Sequence, residues 1–209
     1  MDKMMKEQEK MKKSNRQIIR ENQQKKQTRN KIILGGGIGL AAIIVVVVVI
    51  LLINNSPASA GLMGDPVVVP SRDHIPSDQI PGPYNSNPPA GGAHYDTNFP
   101  AKFYQEADLA SLPKNPQGYL VHSLEHGYVI FWYNCQAPNT DCATLKQTIK
   151  KVMDDEGDIK LIAFPWPDMD VPLTMTSWGR ILKFPTLDTA LMTQFVVRNR
   201  YQAPEPDAQ

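Results

Sequence analysis

The chain has 209 residues with 22 Lys/Arg against 21 Asp/Glu, so length allows one globular domain plus an appended segment. The net charge of +1 hides an asymmetry: residues 1–31 carry 11 basic and 4 acidic side chains, about +7, leaving about −6 for the rest. With no basic patch beyond that arm, no P-loop and no G-x-G-x-x-G, nucleotide and nucleic-acid binding are not expected.

In chain order, residues 1–31 lack Pro and Gly and read as a solvated basic arm against an anionic leaflet. Residues 32–53, IILGGGIGLAAIIVVVVVILLI, hold no charged or polar side chain. As a helix this run reaches roughly 33 Å, enough to cross a hydrocarbon core of about 30 Å. Lys25, Lys26, Arg29 and Lys31 precede it and no basic residue follows until Arg72. The positive-inside rule then sets the N-terminus in the cytoplasm and the rest outside. Ala58-Ser59-Ala60 resembles a signal cleavage site, but the apolar run exceeds a signal peptide's h-region, so an uncleaved anchor is expected. Gly35 and Gly39, in G-x-x-x-G spacing, offer a face for self-association within the lipid.

Residues 54–66 read as a linker and 67–209 as an extracytoplasmic domain. Twelve of the 18 prolines fall between Pro57 and Pro138, which rules out a long helix or a central strand there. The density of Tyr84, Tyr95, Phe99, Phe103 and Tyr104 points to an ordered, irregular wrap on a core.

From residue 118, GYLVHSLEHGYVIFWYN predicts two extended stretches, the second over Tyr128–Tyr133. Cys142 to Asp155 predicts a helix with Leu145, Ile149 and Val152 on one face and Asp141 as N-cap. IKLIAFPW and VPLTMTSW predict strands, and Thr186 to Arg198 a closing helix. The β-α-β-β-α order predicts an α+β fold, a small mixed sheet with helices packed on it. Cys135 and Cys142, on the expected outer side, predict a disulfide whose small loop contributes roughly 2–3 kcal/mol.

The chemistry-bearing residues gather in two places. HSLEHG sets His122 and His126 on one face whether helical or extended, with Glu125 between them. His94 and His74 are the remaining histidines, and three or four imidazoles suit zinc, copper or nickel better than calcium. In the rival reading these rings only hydrogen-bond the backbone of the Pro-rich segment. H-S-L-E-H also matches the inverted zinc-peptidase pattern H-x-x-E-H. Gly127 and the β-rich run behind it predict barely one helical turn, so that chemistry is not expected.

DHIP (73–76), YNSNPPAGGAH (84–94), VHSLEHG (121–127), SWGR (177–180) and APEP (203–206) resemble a bacterial family catalogued as domain of unknown function 3105. The resemblance covers roughly residues 68–206, with His74, Asn85, Asn87, Pro88, Pro89, His94, His122, Glu125, His126 and Gly127 at its recurrent positions. It implies a single-span protein with one outer domain and draws the two histidine segments toward a shared centre. The expected role is non-enzymatic: binding copper or zinc through His94, His122, His126 and His74, with Glu125, Asn85 and Asn87 supporting the ligands. The alternative is a structural or assembly module for another membrane protein, with a metal-dependent hydrolase a remote third.

Overall fold

The computed structural model describes residues 61–208. The arm 1–31, the span 32–53, the Gly35/Gly39 face and the Ala60 site lie outside the described residues. Among the described residues no helix is long and apolar enough to cross a membrane.

The elements are β1 (Asp65–Pro66), β2 (His74–Ile75), β3 (His94–Tyr95), β4 (Lys102–Phe103), a 3-10 segment Glu106–Ser111, α1 (Pro116–Glu125), β5 (Val129–Tyr133), α2 (Cys142–Asp155), β6 (Leu161–Pro165), β7 (Leu173–Ser177), β8 (Arg180–Phe184) and α3 (Thr189–Asn199). The main sheet has the order β1-β8-β7-β5-β6-β4. Strand β5 runs parallel to β6 through the α2 crossover and antiparallel to β7, which forms a hairpin with β8. The fold is therefore α+β with a mixed sheet.

VIFWY is buried at every position because both faces of β5 are covered. Val129, Phe131 and Tyr133 pack with Leu145, Ile149, Val152 and Met153 of α2 and with Met192, Phe195 and Val196 of α3. Ile130 and Trp132 face the other way, onto Leu120 and Leu124 of α1 and Phe99 and Tyr104 of the Pro-rich segment. The predicted cap is in place, Asp141 accepting from the amides of Ala143 and Thr144.

Two elements differ from the sequence reading. The strand pair ends in a hairpin, because Gly179 (φ +68°) lets the chain turn after Trp178 and return as β8. More consequentially, the segment expected as extended before Gly127 is a ten-residue helix, α1, with Pro116 at its first turn. His126 caps it, and Gly127 (φ +80°) donates to Leu124 O while Tyr128 donates to Ser123 O, a glycine-terminated helix end. Every residue from Leu120 to Glu125 is buried, so α1 has no polar face and no helical period to read.

Candidate metal centre

Helix α1 brings Glu125 and His122 to one point because residues three apart share a helix face. The Pro-rich segment supplies the opposite wall. Its two short strands β2 and β3 pair in parallel with His74 beside His94, and the His94 amide donates to Asp73 O. Gly118 permits the close approach: a Cβ there would lie 2.5 Å from the Tyr95 ring, one residue from His94.

His74, His94, His122 and Glu125 each offer one ligand atom, and these atoms all lie within 4.8 Å of one another. His94 is fully buried, His122 and Glu125 nearly so, while the His74 side chain is 38% exposed. Glu125 Oε2 lies 2.9 Å from His94 Nε2 and 3.2 Å from His74 Nε2. Neighbouring donors around a tetrahedral zinc, with bonds of about 2.0–2.1 Å, stand about 3.3 Å apart. The two contacts fall close to that spacing. Arg72 Nε donates to Glu125 Oε1 at 3.3 Å, which leaves Oε2 directed at the histidines.

His94 Nδ1 is 2.7 Å from Gly92 O. A carbonyl oxygen only accepts, so Nδ1 carries the hydrogen and a neutral ring presents a lone pair at Nε2. Nε2 faces a Glu125 carboxylate oxygen, which only accepts, so the contact is closed either by a proton on Nε2 or by a metal ion in its place. Burial pushes His122 down, reinforced by His126, His94 and His74 and opposed by Glu125, to about 4. It is therefore neutral and able to ligate at pH 7. Burial pushes the Glu125 carboxyl up, but His94, with hydrogen bonds from His94, Arg72 and His74, carries it net below its usual value. The site thus sets a neutral His122 beside an ionised Glu125. Buried His122 Nδ1 has no hydrogen-bond partner.

Of the other sequence-predicted residues, His126 borders the group without joining it, and Asn85 and Asn87 bond elsewhere. The His126 ring sits 4.3 Å from that of His122, centroid to centroid, with Nε2 3.7 Å from Glu205 Oε2. Asn85 donates to Val68 O, and Asn87 donates to Asp168 O while accepting from Trp166 Nε1. Arg72 was not singled out in the sequence, where a lone arginine between Ser71 and Asp73 carries no motif. An inverted zinc-peptidase site sets both motif histidines on one metal and keeps the glutamate free as base. Here Glu125 lies inside the group of four and His126 outside it. A second group, Glu106 with Cys135 and Cys142, offers no thiolate because the two sulfurs are bonded to each other.

No curated protein and no solved structure matches the chain. A family model described as "Protein of unknown function (DUF3105)" matches residues 77–209, which includes three of the four grouped residues and leaves His74 just upstream. With more than half of its length matched, the chain belongs to the DUF3105 family.

Proposed function

We propose that this domain binds one zinc or copper ion through His74, His94, His122 and Glu125, as the outer part of a single-span membrane protein with its N-terminus in the cytoplasm. The observation that carries the reading is the gathering of ligand atoms from His74, His94, His122 and Glu125 within 4.8 Å of one another at a largely buried site. Three imidazole nitrogens and one carboxylate oxygen form a donor set suited to zinc or copper and unsuited to calcium or magnesium. Four protein donors around one point favour holding an ion over hydrolysis, which needs an open coordination position. Arg72 and Gly92 O supply the outer hydrogen bonds that orient Glu125 and His94.

Metal analysis and calorimetric titration of the purified protein test this. One ion per chain is expected, with binding lost in His94→Ala and Glu125→Gln. A chain that purifies metal-free, and whose melting temperature does not move on adding zinc or copper, overturns it.

One observation favours the second reading, an assembly module for another membrane protein. The same contacts that gather the donors also tie the irregular segment to α1, since Glu125 accepts from Arg72 and meets both His74 and His94. Co-purification of a membrane partner that survives Glu125→Gln would support that reading.

A further inference from the structure

We propose that the ion enters and leaves the centre through His74, which an incoming nitrogen or sulfur donor of an acceptor displaces first, while His94, His122 and Glu125 keep hold. Resting on the metal-binding reading, this makes the centre one that passes its ion on rather than one that keeps it. Three of the four donors are fixed in the core. His94 is fully buried, and its Nδ1 lies 2.7 Å from Gly92 O. His122 and Glu125 stand on α1, which is buried at every position from Leu120 to Glu125.

His74 is held differently. Its side chain is 38% exposed, against 0% for His94 and 2% for Glu125. It lies on β2, a two-residue strand that shares its small sheet with β3 alone. Its Nε2 meets Glu125 Oε2 at 3.2 Å, but its Nδ1 stands 3.6 Å from Asp96 Oδ1, beyond hydrogen-bond reach. Asp96 directly follows β3 and is itself exposed, and exposed Arg72, two residues before β2, donates to Glu125 Oε1. The exposed side chains paired with the group are therefore carried by β2, β3 or the residues flanking them.

A structural zinc site closes all four ligands around its ion. Here one ligand in four stands at the surface. Exposed side chains change rotamer in picoseconds to nanoseconds. Swinging the His74 ring away from Glu125 breaks no backbone hydrogen bond, whereas withdrawing His94 or His122 opens a close-packed core. The exchange is a ligand substitution without redox change. A lone pair of the acceptor bonds to the ion as the bond to His74 Nε2 breaks, and the freed imidazole keeps its electron pair. Further acceptor donors then replace the three remaining ligands in turn. The Asp96 carboxylate sets a negative charge beside the His74 ring, which draws an arriving cation to the entrance.

The test uses the full chain in detergent, zinc as the ion and the chelator 4-(2-pyridylazo)resorcinol as acceptor. In the native chain, a measurement that needs no variant, the rate of zinc transfer should rise in proportion to chelator concentration. His74→Ala should still hold one zinc per chain and release it to the chelator several-fold faster. Free imidazole, filling the vacated position from solvent, should slow that release back toward the native rate. A native rate independent of chelator concentration, loss of zinc from His74→Ala as complete as from His94→Ala, or no effect of imidazole would each overturn the exchange route and leave the binding reading standing. A native chain that takes up no zinc overturns both.

Discussion

At His122 two demands meet. Its ring is buried among His74, His94 and His126 and has no hydrogen bond at Nδ1, so protonating it in the folded chain is costly. The folded value of about 4 lies below the ordinary 6.5. On acidification the unfolded chain therefore takes up this proton first. The associated stability is complete above about pH 6.5 and is lost as pH falls toward 4. Urea denaturation of metal-free protein across that range should show falling stability, with a shallower slope in His122→Leu. An equal slope in the variant would remove His122 as the cause. His126 and Glu125 show how little separates a member of the group from a neighbour at this scale. Both sit at the end of α1, yet only Glu125 turns its donor atoms into the group. The sequence presents them as adjacent letters, and residues 100° apart around a helix face different surroundings.

At the scale of elements, α1 needs a neighbour that comes very close. Gly118→Ala places a Cβ against the Tyr95 ring, and that ring cannot swing away because its hydroxyl donates to Gln79 O. Overpacking of this kind costs about 1–3 kcal/mol, more than the roughly 1 kcal/mol that alanine gains in helix propensity. Net destabilisation in urea is expected, together with weaker zinc binding, because β3 carries His94 beside Tyr95. Stability equal to the parent chain would refute the account of that packing. The C-terminal tail is the second device. Lys160 Nζ donates to the carbonyls of His126, Pro206 and Ala208, and the Glu205 amide donates to Glu125 O. Lys160→Met strips three carbonyls of their donor and should cost about 1–3 kcal/mol. Amide exchange at Glu205 should accelerate in parallel, and an unchanged rate would show that the tail is held by other means. The helix α2, by contrast, was legible from its own residues, since Leu145, Ile149 and Val152 repeat at helical spacing on one buried face.

At the scale of the whole molecule, the chain combines a basic arm, an apolar run and a folded α+β domain, and the proposed topology has a direct consequence. Protease added to intact bacterial cells expressing the full chain should digest the region after residue 60 and spare the arm. Protection of the domain in intact cells would reverse the orientation. Metal at 100 times its dissociation constant should also stabilise the folded domain by about 2.7 kcal/mol, read as a higher melting temperature.

The sequence by itself determined the mixed α+β character, the strands β5, β6 and β7, the helices α2 and α3, the Cys135–Cys142 pair and the short roster of candidate donors. These rest on local information: apolar runs, one-faced periodicity, a capping aspartate and a count of histidines. Only the tertiary structure decided that α1 is a helix, because a helix buried almost all round shows no amphipathic period. Only it set His74 beside His94 through a two-residue parallel pairing, too short to leave a pattern. It also decided that Glu125 joins three histidines while His126 turns toward Glu205. Direction in space depends on which surfaces arrive around a helix end, and that information is spread over segments tens of residues apart.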